Sequence, residues 1–221
     1  LARLLLHLTL LIAAIIVLLP FYWMIISSLK DMGEFFNPKP SLFPAKINLL
    51  NYYKLFKETQ FIRWIFNSGF VSVFSLLLGL FICSLAGFAF AVYDFKGKSV
   101  LFWTVLGSVA IPEIVTIIPI FKLMVVARMI DTYSSLILPY SMSVFGIFLM
   151  KQYIASSLPK ELLEAARIDG CSEFGIYFQI GLPLVRPGMG VLGIYLWLNS
   201  WSGYFWPLIM LKSREMLTLP L

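Results

Sequence analysis

The chain has 221 residues, of which 60% are hydrophobic, 16% aromatic and only 13% charged. Soluble chains average about 25% charged residues, so this composition excludes a soluble globular domain and describes a polytopic membrane protein. The formal charge of +6 comes from scattered loop residues rather than a basic run, which places the charge at membrane flanks and argues against a nucleic-acid partner.

Residues 4–29 read as a first span, too long for a simple signal peptide, with Phe21, Tyr22 and Trp23 near its far end where interfacial rings are favoured. His7 is the only histidine. Residues 30–63 are polar and broken by Pro38, Pro40 and Pro44 into extended pieces. Within them Asn48 is placed to cap a short amphipathic helix over 49–57. Residues 66–93 form a second span whose Ser68, Gly69, Ser72, Ser75, Gly79, Ser84 and Gly87 make a small-residue face for helix packing. The turn at 94–99 ends in Gly97-Lys98-Ser99, but Val92 stands where a phosphate-binding loop needs its first glycine. The turn therefore gives no evidence of an ATPase in this chain.

Residues 100–120 form a third span, interrupted by Pro112 and Glu113. Proline frees backbone groups within a span, and an intramembrane carboxylate is a functional-site candidate, although a Glu113 near the interface or paired with a neighbouring subunit fits the sequence as well. A fourth span covers 133–150 and a fifth 184–211. The fifth carries Asn199, Trp201 and Tyr204, whose rings and polar handles suit a sugar-like ligand or, equally, a membrane-interface belt. Glu113, Asn199, Trp201 and Tyr204 are thus the substrate-pathway candidates. No catalytic pair, metal-ligand spacing or disulfide pattern is present; Cys83 lies in an apolar run and Cys171 in a polar loop.

Between the fourth and fifth spans lies a polar segment, 156–183. Leu158 to Asp169 reads as a short helix with Leu162, Leu163 and Ala166 on one face and Glu161, Glu164, Arg167 and Asp169 on the rest. Gly170 supplies a left-handed stop, Ser172 caps a second helix over 173–180, and Pro183 begins the next element. Ala165 and Ala166 remove bulk, as docking into a partner's groove requires; a loop resting on the membrane surface fits the composition as well.

Glu164-Ala165-Ala166, then Gly170, then Ile180, Leu182 and Pro183 resemble the "EAA" loop of ABC importer permeases. Leu158-Pro159-Lys160-Glu161-Leu162 and Ile168-Asp169-Gly170 resemble the maltose and glycerol-phosphate type. The resemblance implies an all-α transmembrane bundle with one more span beyond the five seen here, so that the sequence is expected to be truncated at its C-terminal end. It implies a cytoplasmic coupling loop comprising Glu164, Ala165, Ala166, Asp169, Gly170, Ile180, Leu182 and Pro183. It also implies a second homologous permease, two ATP-binding cassette subunits that use ATP and magnesium, and an extracytoplasmic solute-binding protein; the helix over 49–57 is either packed on the end of the bundle or a contact for that protein. This chain would then bind no cofactor and catalyse no covalent chemistry. The family pattern carries Asn where this chain has Ser202. The implied orientation leaves more Lys and Arg outside than inside, against the positive-inside rule. An ion-driven transporter would need paired carboxylates and an inverted repeat, and a membrane enzyme a nucleophile with a base; neither pattern is present.

Overall fold

The structure is a computed structural model that describes residues 2–221. Its described residues form helices and turns, and no strand occurs among them. They divide into two compact units, one reaching to Phe61 and one spanning Ile62–Leu221.

The first unit is built on α1 (Ala2–Ser28), apolar on every side, which fits a helix surrounded by lipid. The polar segment that follows folds on itself rather than trailing as extended pieces. Asp31 caps the single turn α2 (Met32–Phe35) by accepting from the Glu34 N–H at 2.8 Å. The Glu34 carboxylate then accepts from the Ser41 hydroxyl at 2.6 Å and the Ala45 N–H at 3.1 Å, drawing the proline-rich stretch into a loop. Lys30 is buried; its ammonium donates to the Ser41 carbonyl and lies 4.7 Å from the centre of the Trp23 ring. Both contacts offset part of the cost of removing a cation from water. Helix α3 (Leu50–Glu58) begins one residue later than expected, and Asn48 serves it by accepting from the Leu50 N–H at 2.8 Å.

The second unit is organised around α4 (Phe61–Val92), which is 32 residues long. Its small-residue face is where other helices approach. A Cβ on Gly87 would lie 2.6 Å from the Met150 Cβ and 2.8 Å from the Lys151 backbone nitrogen, and one on Gly79 would lie 2.9 Å from Leu196. At Gly87, where the neighbours are backbone and Cβ atoms, only glycine permits that separation. Gly69 has no such neighbour.

The remaining expected spans are each broken. Helix α5 (Lys98–Gly107), extended by a 3-10 turn over Ser108–Ala110, meets α6 (Glu113–Val126) at 107°. Pro112 is the hinge, because it cannot donate a helical hydrogen bond and it holds Ile111 in an extended conformation. Helices α7 (Ser134–Ser141) and α8 (Val144–Ser157) meet at 40°. The loop then supplies α9 (Lys160–Ile168), α10 (Glu173–Gly175) and α11 (Leu182–Leu184), before α12 (Arg186–Trp201) and α13 (Phe205–Met210). A 3-10 turn at Arg214–Met216 follows. Two helices are long and apolar enough to cross a bilayer, and up to five spans result if each bent pair counts as one.

Two apolar cores result. One gathers Cys83, Phe88, Met150, Ile154, Leu163, Ala166, Ile176, Tyr177, Leu192 and Leu196 beneath the loop. The other gathers Val71, Leu136, Trp206, Met210 and Leu211 at the opposite end.

Candidate functional site

Helix α9 starts at Lys160 rather than Leu158, with Pro159 as its cap residue in an extended conformation. It ends as the sequence implies. Gly170 has φ +79°, the Cys171 N–H donates to the Ala166 carbonyl at 3.0 Å, and the Gly170 N–H donates to the Arg167 carbonyl at 3.1 Å. That pair of bonds is the Schellman closure, which needs a left-handed residue where Gly170 stands. Ser172 accepts from the Gly175 N–H at 3.1 Å and starts the return arm.

The return arm departs from the sequence expectation. After Gly175 the chain widens into a π-helix, Ile176–Gly181, and passes through Pro183 without breaking. A proline ring clashes with the carbonyl four residues earlier in an α-helix, and a wider turn relieves that clash. The sharp turn, 81°, comes instead at Val185. The Tyr177 hydroxyl and the Ser84 hydroxyl share a buried hydrogen bond of 2.7 Å, which ties the π-helix to α4. Gly181 lies so near Phe88 that a Cβ would stand 2.9 Å from the ring.

The loop residues sort by exposure. Leu163 and Ala166 are buried in the chain's own core, so Ala166 is a packing residue here. Ile180 and Leu182 also pack against that core, while Pro183 is exposed. Glu164, Ala165, Asp169 and Gly170 face outward. Ile168 is 86% exposed and Phe174 66% exposed on the same loop, two large apolar groups that charge patterning alone did not single out. Arg167 and Glu173 form a forked ion pair, with contacts of 2.8 and 3.2 Å, and the Tyr93 hydroxyl donates to the same carboxylate at 2.7 Å. This links both arms of the loop to the end of α4. Arg167, then Tyr93, hold the Glu173 carboxyl below its ordinary range. Burial and the neighbouring Glu173 carboxylate push the Tyr93 phenol up to about 12.

The pathway candidates separate. Glu113 and Asn199 line one cleft of about 470 Å³ at the Pro112 bend, together with Thr116, Tyr140, Tyr195 and Trp206. Trp201 and Tyr204 do not line it. Trp201 stacks on Trp197 with ring centres 5.5 Å apart, a self-contained pair, and Tyr204 is exposed. Tyr140 and Tyr195 were missed in the sequence because each sits in an apolar run, where an isolated tyrosine reads as packing.

At the opposite end the polar contacts are long-range. The Asn67 amide donates to the carbonyls of Glu215 and Leu217 at 2.9 and 2.8 Å and accepts from the Tyr133 hydroxyl at 2.7 Å. Trp64 donates to the Arg214 carbonyl, and Ser68 accepts from the Leu219 N–H. Asp131, itself left-handed at φ 61°, accepts from the N–H groups of Lys212 and Ser213 and from the Ser213 hydroxyl.

Residues 72–220 match the family model described as a binding-protein-dependent transport system inner membrane component. The chain is 40% identical, over 99% of its length and 79% of the relative's, to the arabinooligosaccharides transport system permease protein AraQ of Bacillus subtilis (strain 168). It is 32% identical to the sn-glycerol-3-phosphate transport system permease protein UgpE of Agrobacterium fabrum (strain C58 / ATCC 33970), over 99% of this chain and 79% of that one. It shares its fold with a bacterial ABC transporter involved in the import of the acidic polysaccharide alginate. There the TM-score is 0.86 and the identity 22%, over 98% of this chain and 76% of that one. The chain belongs to the family of binding-protein-dependent inner membrane components, the all-helical permease subunits of ATP-driven importers.

Proposed function

We propose that this permease subunit carries a sugar, oligosaccharide or glycerol-phosphate-like solute and receives its driving force through the Glu164 loop. Family membership implies ATPase and binding-protein partners. The assembly in this reading contains a second homologous permease, two ATP-binding cassette subunits and one solute-binding protein. The loop docks in a groove of the ATPase, with Glu164 making a charge-assisted contact and Gly170 setting the angle of α9.

One observation carries this reading. Helix α9 is anchored by Leu163 and Ala166, yet the same loop presents Glu164, Ile168 and Phe174 outward. A segment held firmly on one side and left apolar and charged on the other is built for a partner. In the mechanism, closure of the ATPases pulls α9, the Arg167–Glu173–Tyr93 contacts carry the pull to α4, and the spans tilt to open the pathway. The pathway residues in this reading are Glu113 and Asn199, with the exposed Tyr204 as a further candidate contact.

The test is Glu164→Ala in the assembled importer. It removes one charge-assisted bond, worth roughly 1.5–3 kcal/mol. The variant inserts and pairs normally but copurifies with less ATPase and loses binding-protein-stimulated hydrolysis. Normal copurification and normal stimulated hydrolysis would refute the docking role.

A further inference from the structure

The cleft at the Pro112 bend has a one-sided charge pattern. Glu113 is the single charged residue lining it, and no Lys or Arg does so. On α6 the first basic residue after it is Lys122, about 13 Å further along the axis. Among the described residues the Glu113 carboxylate takes part in no ion pair; only its backbone carbonyl is engaged, accepting from Thr116 at 2.8 Å. Asn199, Tyr140 and Tyr195 line the same cleft from other helices. Trp206 contributes its ring alone, since its indole N–H donates to the Ser135 carbonyl at 2.8 Å.

These groups suit one solute chemistry. A carboxylate accepts strongly from sugar hydroxyls, an amide both donates and accepts, and aromatic faces cover the C–H faces of a pyranose or furanose ring. The same carboxylate repels a phosphate or a uronate, and nothing cationic in the cleft offsets that repulsion. The relatives fall on both sides of this divide, since one bears the name of an arabinooligosaccharide system and another that of an sn-glycerol-3-phosphate system. Resting on the transport reading above, we propose that this cleft recognises uncharged oligosaccharides and that Glu113 is its specificity-determining residue, turning away phosphorylated and uronate solutes.

The experiment uses the assembled importer in lipid nanodiscs without its binding protein, so that upstream selection does not mask the cleft. Four probes are titrated: arabinotriose, lactose, sn-glycerol 3-phosphate and an alginate trisaccharide. The wild type binds the two neutral probes at least about tenfold more tightly than the two anionic ones. Glu113→Gln keeps the shape but not the charge; it weakens neutral binding by about tenfold and narrows the gap. Glu113→Lys reverses the order. Equal or tighter binding of the anionic probes by the wild type overturns the proposal, as does an unchanged preference in Glu113→Lys. Absence of binding by all four probes overturns it too. ATPase copurification, measured on the same samples, reports separately on the coupling reading, so failure of one is not mistaken for failure of the other.

Discussion

Helices α6 and α9 end in the same way, and the difference between them separates the two ends of the second unit. At α9 the left-handed residue is Gly170; at α6 it is Arg128, at φ 57°. The bonds match: the Met129 N–H donates to Met124 at 2.9 Å and the Arg128 N–H to Val125 at 3.0 Å. A non-glycine residue in this conformation is held by its surroundings, at a cost of roughly 1–2 kcal/mol. The Arg128 turn leads directly to Asp131, whose N–H donates to the Met210 carbonyl and whose carboxylate gathers the Lys212 and Ser213 N–H groups. The Gly170 turn has no such clamp. Its nearest polar fastening is the Arg167–Glu173 pair, about half exposed and therefore weak in water. One end is locked by several long-range side chain-to-backbone bonds, made by Asn67, Ser68 and Asp131, whereas the other is seated on an apolar core and free at its rim.

Breaking the locked end has the largest effect. Asn67→Leu removes the partner of two carbonyls and of the Tyr133 hydroxyl in a part-buried site, costing about 2–3 kcal/mol. Thermal unfolding of the purified complex, followed by tryptophan fluorescence, reads this. If Arg167→Ala lowers the midpoint as much, the contrast between the ends is wrong.

Gly170→Val comes next. A β-branched residue at φ +79° costs about 1–2 kcal/mol locally, and because α9 is re-aimed, stimulated ATP hydrolysis falls far more than stability does. Equal losses in the two assays would mean that the turn is only a fold element. The reciprocal change, Arg128→Gly, relieves strain and raises stability by up to about 1 kcal/mol, offset in part by the entropy of a freed glycine. Stimulated hydrolysis stays unchanged in that variant, as measured on the same importer.

The smallest effect concerns pH. Glu173 has a depressed pKa, so its contribution is present above its ordinary value near 4.5 and is lost as pH falls through the depressed value. Tyr93 is raised to about 12, so its contribution is present below its ordinary value near 10 and is lost as pH rises through 12. Neither group titrates between about pH 6 and 8. The ratio of Glu173→Gln to wild-type hydrolysis is therefore flat across that interval; a sloping ratio would assign the linkage to another group.

What was legible in the sequence was local. The Gly170 stop, the Ser172 cap and the apolar face around Leu163 and Ala166 follow from residues within a few positions of one another. Pro112 could be read as an interruption, but its angle could not, because the angle depends on what α6 packs against. The Asn67 network was illegible, since its partners lie 66 to 150 residues away. Trp201 drew attention for its chemistry, and only the fold shows that Trp197 takes up its face. The π-helix hides for a similar reason. Pro183 reads as a terminator unless the chain widens before it, and Gly181 lets the widened turn pass close against the Phe88 ring.

Helix α12 begins at the foot of the loop, at Arg186, and its Tyr195 and Asn199 reach the cleft near its far end. From Arg186 to Asn199 is about 20 Å along a helix axis. Such a rod behaves as a lever. A tilt of about 10° at the loop end swings the Asn199 end by roughly 3–4 Å, comparable to the reach of one hydrogen bond. In the proposed mechanism the cleft groups on α12 and the foot of the coupling loop are thus two ends of one helix, and a small pull transmitted to Arg186 would be enough to make or release a hydrogen bond at Asn199.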